Sequence, residues 1–449
     1  MNAKQMDSRT HFKETLAFYL AIGLGLGVST GHPLGIAAAT AMPLVCLSPG
    51  TRKGAFKSSL AYYAAALWPI IPGLEAYWKS ETPLIPLLLW IVTAILLSLP
   101  WTLAWTSRRI HCLWRAALAL LATILPPLGV IGLASPVTGA GYLFPGAGWA
   151  GLVTVALLPG IVLSTQVLGS RLRVAVLFFM ICFFVGVASG DRFRHLGDAE
   201  PPRGWVAVDT HFGDVSEPYR EFAAAQFVQR KAADSSARVV IFPESVVPRW
   251  SEATEAFWSK TLNQSRRRGQ TLAIGAGLPA QTATPKDKSQ KPNDLKAYDF
   301  GAAIDTLRNM DMQQHLPALR SRSFSNWTKP QGEPIDNTML IVGAESATFY
   351  QRVPVPLGMW LPSSRISVPL RLDAPGVVAL DHQRAAVLIC YEQLLTFPIL
   401  ASMRQHPTVI VGISNTFWVD HTSIPLYQVN AMRSWAKLFR LPYLLAVNS

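Results

Sequence analysis

Cysteine is scarce throughout this chain, and charge is scarce in its most apolar part. The 449 residues include 15% charged residues and four cysteines, and the first 190 residues carry only brief charged interruptions between apolar segments. Several such segments in succession are typical of bilayer-crossing helices, and buried helices of a large soluble protein would show more charge between them. The sequence therefore argues against an ordinary soluble fold over its first 190 residues.

Seven apolar segments are close to the length that a membrane-spanning helix needs. The second is short and bounded by proline, so it also fits a tilted or re-entrant segment. Their approximate positions are 14–30, 33–48, 57–78, 84–105, 113–134, 149–168 and 172–190. We therefore expect a polytopic helical membrane domain with about seven spans over residues 1–192 and a second domain of mixed composition over residues 193–449.

Lysine and arginine are distributed unevenly among the connections between these segments. They precede the first segment and recur in every second connection. The basic positions are Lys4, Arg9, Lys13, Arg52, Lys53, Lys57, Arg108, Arg109, Arg115, Arg171 and Arg173. Because basic loops stay on the cytoplasmic side, seven spans in a bacterial inner membrane predict a cytoplasmic N-terminus and a periplasmic second domain. An even number of spans would reverse that placement.

The second domain lacks several familiar motifs. It has no Walker loop, no zinc-ligand spacing and no recognisable nucleic-acid module, and His211, His382, His406 and His421 are not spaced like metal ligands. The net charge of +13 comes partly from the basic loops, which would meet anionic lipid. We therefore expect membrane lipid as a partner, no metal or organic cofactor, and no direct contact with nucleic acid.

Strand-like and helix-like segments alternate through the second domain, which predicts a layered α/β fold with its active-site groups at strand ends. A polar stretch, Gln281–Lys296, interrupts the alternation and is typical of a loop or insertion. The predicted strands are 204–209, 238–242, 271–277, 337–343, 377–381, 385–389, 408–413 and 443–447.

Cys390 is the only cysteine outside the apolar segments, so it has no disulfide partner within its domain. It directly follows the short apolar strand Ala385–Ile389. A thiol in that place is often an inert buried residue, but it also suits a nucleophile, which needs a nearby base to form its thiolate. Glu244 follows another buried strand, directly after Pro243, and is predicted to be that base.

Three segments resemble the nitrilase, or carbon–nitrogen hydrolase, superfamily. They are Ile241–Ser245 (IFPES), Cys390–Glu392 (CYE) and Ser414–Trp418 (SNTFW). The apolar segments that precede them narrow the resemblance to the branch that contains apolipoprotein N-acyltransferase. The resemblance implies a periplasmic α/β/β/α sandwich. It also implies a Glu–Lys–Cys triad that moves an acyl chain from phospholipid to the N-terminal cysteine of a lipoprotein.

The resemblance implies roles for individual residues. Glu244 would be the general base and Cys390 the nucleophile, while Arg352 stands where the family has its lysine. A guanidinium keeps the positive charge that stabilises an oxyanion, but it does not give up a proton. Met359 stands where a further glutamate is expected. The candidates for supporting the chemistry or binding substrate are Glu392, Tyr391, Asn415, Trp418, Trp360 and Met359.

Four segments resemble a narrower family, the TraB-type conjugal transfer proteins of bacterial plasmids. They are Ser135–Trp149 (SPVTGAGYLFPGAGW), Arg352–Trp360 (RVPVPLGMW), Leu388–Leu395 (LICYEQLL) and Arg433–Pro442 (RSWAKLFRLP). The first is an uncharged loop that we expect to face the second domain and to form part of a lipid-side binding surface. The chain ends at Ser449, where the acyltransferase is expected to continue with more domain and a last membrane helix.

These features support three hypotheses about function. The leading one is an inner-membrane accessory protein of conjugal transfer whose second domain performs thiol-dependent acyl transfer or amide hydrolysis on an envelope substrate. The alternative is a catalytically inactive scaffold that binds envelope or transfer-apparatus proteins, which Arg352, Met359 and the C-terminus at Ser449 favour. A working apolipoprotein N-acyltransferase is the third and least favoured hypothesis.

Overall fold

The computed structural model describes residues 3–78, 84–165, 199–215, 218–279, 335–361 and 367–449, which form a helical region and an α/β domain. The α-helices of the helical region that fall within these ranges are α1 Ala3–Ser29, α2 Pro33–Ala38, α3 Met42–Leu47, α4 Arg52–Leu67, α5 Ile70–Trp78, α6 Leu84–Ala104, α7 Cys112–Ile124, α8 Ala140–Leu143 and α9 Gly148–Ser164.

The helices of the helical region pack closely around buried aromatic residues. Gly25 of α1 lies against α4, where an added Cβ would come within 2.4 Å of the Tyr62 carbonyl oxygen. The Tyr62 hydroxyl donates to the Ala134 carbonyl oxygen at 2.8 Å, and the Trp101 indole donates to the Tyr63 hydroxyl at 3.0 Å. The buried polar groups of these aromatic residues therefore have partners, which an apolar interior requires.

Two helices among the described residues are long and apolar enough to cross a membrane, His11–Ser29 within α1 and Leu84–Ala104, which is α6. The prediction of seven spans is therefore wrong for this part of the chain. The segments at 33–48 and 149–168 form shorter apolar helices, of which α9 has 17 residues. The predicted segment at 172–190, the predicted domain boundary at 192–193 and the predicted loop Gln281–Lys296 lie outside the described residues.

Proline accounts for two of the shortened segments. Helix α4 ends just before Pro69, and α7 ends at Ile124, shortly before Pro126 and Pro127. Because proline lacks an N–H and disfavours helical conformation in the residue before it, helices end at such positions. Apolar composition alone does not distinguish an interrupted helix from a continuous span.

The described part of the α/β domain contains two β-sheets. Their strands are β1 Trp205–Ala207, β2 Val239–Ile241, β3 Thr271–Pro279, β4 Ile335–Gly343, β5 Ala347–Tyr350, β6 Val377–Leu380, β7 Gln383–Ile389, β8 Val409–Asn415 and β9 Tyr443–Asn448. The first sheet has the order β1-β2-β3-β4-β5, with β1 to β3 parallel and with β4 antiparallel to both β3 and β5. The second has the order β6-β7-β8-β9, with β7 to β9 parallel and β6 antiparallel to β7.

Two pairs of helices cover the outer faces of the sheets. Helices α10 (Pro218–Asp234) and α11 (Glu252–Arg267) share an apolar core with the first sheet, and α12 (Thr396–Met403) and α13 (Ile424–Phe439) share one with the second. The facing sides of the two sheets form a further core, which includes Val239, Ile341, Val387 and Val411. The predicted α/β/β/α layering is confirmed by this arrangement.

Helix α13 joins the α/β domain to the helical region. Its Met432 and Trp435 belong to the same apolar cluster as Val137 and Ala140. The loop Ser135–Trp149 lies against α13, as expected from the sequence, and the Tyr142 hydroxyl donates to the Asn430 carbonyl oxygen at 2.7 Å. That this loop also binds lipid stays a prediction.

We predict that Gly141→Ala separates α13 from the helical region. An added Cβ at Gly141 would lie 1.7 Å from the Ser434 carbonyl oxygen, so the backbones must move apart. We expect the free energy of unfolding to fall by about 1–3 kcal/mol or more. The measurement is thermal unfolding of the purified full chain followed by tryptophan fluorescence.

Gly23→Ala is the matched control for this prediction. Gly23 lies in α1, and an added Cβ there meets no atom within 4 Å. We expect it to leave stability unchanged or slightly higher, because alanine favours a helix. Equal effects of the two substitutions would contradict the close contact at Ser434.

Candidate functional site

Cys390 lies at the carboxyl end of β7, where the chain turns into a short 3-10 helix, Cys390–Leu394. Residues Ala385–Ile389 of β7 are fully buried, which fixes the strand. Cys390 itself has φ of +47°, in the left-handed region that side chains other than glycine rarely adopt. Such strain persists only where the surrounding structure imposes it, and it is common at functional sites.

Glu244 comes from the other sheet, in the turn that follows β2. The side chain is 4% exposed, and Gly275 of β3 permits its placement, because a Cβ there would fall 2.4 Å from the Glu244 Cα atom. The carboxylate oxygens accept from Asn337 Nδ2 at 2.6 Å and from the Asn415 backbone N–H at 2.9 Å. The Cys390 thiol lies beside this carboxylate and interacts with it. The two residues predicted to act together are thus brought together.

Burial dominates the electrostatics of this pair. It raises the pKa of Glu244 to about 7, against the opposing effect of hydrogen bonds from Asn337, Cys390 and Asn415. Burial, followed by the negative charge of Glu244, also raises the pKa of the Cys390 thiol well above its usual range. The backbone N–H groups of Asn415 and Tyr391 oppose that rise. Near neutral pH the thiol therefore keeps its proton until an ionised Glu244 accepts it.

Two amide side chains that the sequence did not single out complete the environment of Glu244. Asn337 Nδ2 donates to Gln351 Oε1 at 3.0 Å as well as to Glu244, and Gln351 Nε2 donates to the Ile389 carbonyl oxygen at 3.2 Å. These hydrogen bonds connect Glu244 to the end of β7, which carries Cys390. Neither residue carries a signal in the sequence, because their partners, Glu244 and Ile389, lie far from them along the chain.

Arg352 and Glu392 form a buried ion pair with each other, with a distance of 3.1 Å between Arg352 Nε and Glu392 Oε1. The guanidinium also donates to the carbonyl oxygens of Pro398 and Val387 and to the Ser402 hydroxyl. Neither of these two charged side chains hydrogen-bonds Glu244 or Cys390 in the described structure. These contacts give Arg352 a positioning role, and the catalytic role that the resemblance implied stays a prediction.

Glu392 holds the turn on which Cys390 lies. Its Oε2 accepts from the Ile389 backbone N–H at 2.9 Å, and its Oε1 accepts from the backbone N–H groups of Arg352 and Val353. The carboxylate is fully buried, and hydrogen bonds from several donors are what such a charge requires. Through these contacts Glu392 stabilises the turn that carries Cys390, which is a structural form of the supporting role predicted for it.

Cys390 forms part of the wall of an apolar cavity of about 250 Å³. The cavity lies between the helical region and the α/β domain, and no charged side chain lines it among the described residues. Tyr391, Asn415 and Trp418 line it, as predicted for substrate-binding residues, whereas Trp360 and Met359 do not contribute to its wall. The other lining residues are Ile70, Gly73, Leu74, Leu89, Trp90, Val92, Thr93, Leu96, Ile131, Leu133, Val355, Pro356, Leu357, Leu394, Thr416, Val419, Ile424 and Gln428.

The contacts of Trp418, Trp360 and Met359 show where these three predicted residues lie. The Trp418 indole donates to the Asn415 carbonyl oxygen at 3.0 Å, and its ring packs edge-on against Tyr77 of α5 at a centroid distance of 5.2 Å. Trp360 packs beside the apolar cluster that contains Tyr391, and the Met359 backbone N–H donates to the Val355 carbonyl oxygen in a tight turn. Trp418 therefore connects the site to the helical region.

We predict that alkylation of Cys390 depends on pH through Glu244. Because burial raises the pKa of Glu244 to about 7, the carboxylate is protonated below that pH and ionised above it. The rate at which a chloroacetamide with a long N-alkyl chain labels Cys390 should therefore rise with pH, with a midpoint near pH 7. Glu244→Gln should slow the labelling and remove that rise. The measurement is labelling of the full chain in membranes between pH 5 and 9.

Cys390→Ser supplies the background from the other three cysteines. A pH profile that is the same in the wild type and in Glu244→Gln would exclude Glu244 as the base.

We predict that Arg352→Lys destabilises the fold. Lysine cannot make the several directed bonds of the buried guanidinium, so acceptors around Ser402 lose their donors. We expect a loss of about 2–4 kcal/mol in the free energy of unfolding. Arg238→Lys is the control, because Arg238 is 60% exposed in its pair with Asp381, and it should change stability by less than about 1 kcal/mol.

Unfolding of the purified variants by heat measures both effects. Faster alkylation of Cys390 in Arg352→Lys with unchanged stability would instead support the catalytic role that the resemblance implied.

Comparison with known proteins gives relatives over nearly the whole chain. No family model matches it. A Sinorhizobium fredii protein named "Probable conjugal transfer protein TraB" is 29% identical over 457 residues, which cover 98% of this chain and 100% of that protein. Conjugal transfer protein TraB of Agrobacterium fabrum is 27% identical over 468 residues, which cover 98% of this chain and 94% of that protein.

Solved structures of an amidase from Nesterenkonia, a member of the nitrilase superfamily, resemble part of the chain. For one mutant of the AN1 amidase the identity is 14% and the TM-score 0.33, over 55% of this chain and 78% of that chain. A second structure of a Nesterenkonia amidase gives 13% identity and a TM-score of 0.32, over 54% of this chain and 74% of that chain. Over almost its full length, the chain is similar to curated conjugal transfer proteins named TraB.

Proposed function

We propose that this protein is a membrane-embedded accessory protein of plasmid conjugal transfer that performs thiol-dependent acyl transfer or amide hydrolysis. One observation carries the proposal. The thiol of Cys390 interacts with the buried carboxylate of Glu244 at the wall of an apolar cavity. A nucleophile in contact with its base is the requirement for covalent catalysis, and an apolar wall suits a substrate with an acyl chain.

In the first half of the reaction, ionised Glu244 takes the thiol proton and the sulfur attacks the acyl carbonyl carbon. A C–S bond forms and the carbonyl electron pair moves to oxygen. When the pair returns, the bond to the leaving nitrogen or oxygen breaks, and Glu244 gives its proton to that atom. The acyl group is left as a thioester on Cys390.

In the second half, water or an amine attacks the thioester carbon and gives a proton to Glu244. The C–S bond breaks, and the sulfur recovers the proton from Glu244. Water yields a carboxylic acid, and an amine yields a new amide. The protein ends in its starting state, so neither a redox partner nor a cofactor enters the cycle.

Neutral donors surround this pair in the described part of the chain. The Asn337 side chain and the Asn415 backbone N–H donate to Glu244, and the backbone N–H groups of Tyr391 and Asn415 lower the pKa of the Cys390 thiol. Fixed dipoles of this kind stabilise developing charge in a buried site without reorganising. Apolipoprotein N-acyltransferase activity is the least favoured form of the proposal, because Arg352 stands where the resemblance implies a lysine.

The surface of the helical region supports a location in the membrane. Several helices turn large apolar side chains outward, which is favourable in lipid and unfavourable in water. They include Leu16, Leu20, Leu88, Val92, Leu99, Leu103, Trp114, Leu118, Leu121, Val153 and Ile161. This leads us to propose the bacterial inner membrane as the location of the protein. The distribution of basic loops favours the periplasmic side for the α/β domain when the number of spans is odd.

The role in conjugal transfer rests on the names of the curated relatives, which cover almost the whole chain. A covalent modification of an envelope lipid or protein would be the contribution of this domain to transfer. If the domain instead acts only as a scaffold for transfer-apparatus proteins, its surface matters and its thiol does not.

We predict that Cys390→Ala reduces plasmid transfer to the level of a donor that lacks the gene. The substitution removes one sulfur atom from a site that is 6% exposed, so the fold should persist while thioester formation becomes impossible. Transfer frequency from a complemented deletion donor measures the effect, with protein levels in the membrane fraction compared in parallel.

Cys112→Ala is the matched control, because it removes a buried thiol in the helical region and should preserve transfer. Full transfer with Cys390→Ala would exclude the catalytic proposal and favour the scaffold.

A further inference from the structure

Gln428 of α13 carries a buried acceptor with no partner. The side chain is 4% exposed and forms part of the cavity wall together with Cys390. Its Nε2 donates to the Cys390 carbonyl oxygen at 3.0 Å. Because that carbonyl only accepts, the bond fixes which end of the amide is nitrogen. Oε1 is then left without a hydrogen-bond partner among the described residues.

A buried carbonyl oxygen without a donor is destabilising, and native proteins contain few of them. An aliphatic side chain of similar length would fill the same volume in this wall without that cost. The presence of an amide here is therefore informative. Oε1 has almost no accessible surface, so a ligand in the cavity that brings its own donor would satisfy it after a small shift of the surrounding wall.

The chemistry of the cavity restricts that donor. No charged side chain lines the cavity among the described residues, and most of its wall is aliphatic or aromatic. A neutral N–H next to an acyl group meets both conditions, since the chain occupies the apolar part and the nitrogen lies near the reacting carbon. An ester oxygen has no hydrogen to donate, and it would direct its lone pairs toward Oε1.

We propose that Gln428 determines specificity by accepting an N–H from the nitrogen that leaves or attacks the acyl carbon at Cys390. The inference rests on the proposed function and names the class of its nitrogen-bearing substrate. When an amide is cleaved, its N–H donates to Oε1 while the nitrogen lone pair takes the proton from Glu244. When an amine attacks the thioester, one N–H donates to Oε1, a second proton passes to Glu244, and the lone pair forms the C–N bond.

Gln428→Met removes both the acceptor and the donor of the amide. Gln428→Glu keeps an oxygen acceptor, and in this uncharged wall its protonated carboxyl can also donate to the Cys390 carbonyl. The two variants are therefore compared on a substrate with an N–H and on one without. Loss of Oε1 affects only the substrate that has an N–H, whereas a structural effect of the lost bond to Cys390 affects both substrates.

The experiment compares two chromogenic probes with the same acyl chain, octanoyl 4-nitroanilide and the octanoyl 4-nitrophenyl ester. The full chain is reconstituted in lipid vesicles, and kcat/KM is measured for each probe above the Cys390→Ala background. We expect the anilide-to-ester ratio to fall roughly tenfold in Gln428→Met and to stay within about threefold of the wild-type ratio in Gln428→Glu. For the N-methyl anilide, which has no N–H, the ratio to the ester should be the same in Gln428→Met as in the wild type.

An equal fall of the ratio in both variants, or no fall in Gln428→Met, would overturn the inference while the proposed function stands. Absence of Cys390-dependent turnover of both probes in the wild type would overturn the proposed function and the inference with it.

Discussion

The interaction between Glu244 and Cys390 is the contact on which the rest of the site depends, and it exists only because two sheets pack face to face. Glu244 follows a strand of the first sheet, and Cys390 follows a strand of the second. Neither sheet alone contains both groups. The shared core between the sheets therefore sets the distance between the carboxylate and the thiol.

The buried ion pair near the site makes no hydrogen bond to Glu244 or Cys390 in the described structure. The ion pair of Arg352 and Glu392 lies where it holds the turn of Cys390, whereas the partners of Glu244 are neutral amides and backbone N–H groups. A buried ion pair is stable only when its remaining donors and acceptors are satisfied, and here the main chain supplies them. The outcome is a rigid turn that keeps Cys390 in its left-handed conformation.

The sequence predicted what depends on local pattern. Ala385–Ile389 and the residues before Glu244 are apolar runs that end abruptly in a polar residue, and both are buried strands in the structure. Asn337 and Gln351 were missed because their partners lie on other strands, and pairing register cannot be inferred from one strand alone. The predicted number of membrane spans was wrong for the described residues because apolar composition does not show where helices end.

The helical region and the α/β domain belong to one structure, and both contribute to the cavity. Helix α13 packs Met432 and Trp435 into the core of the helical region, and the same helix carries Gln428 in the cavity wall. Residues of α5 and α6 form another part of that wall. If the helical region were removed, the cavity would lose those residues, whereas Cys390 and Glu244 both belong to the α/β domain. An isolated α/β domain would therefore retain the Glu244–Cys390 pair and lose part of the wall that we propose binds an acyl chain.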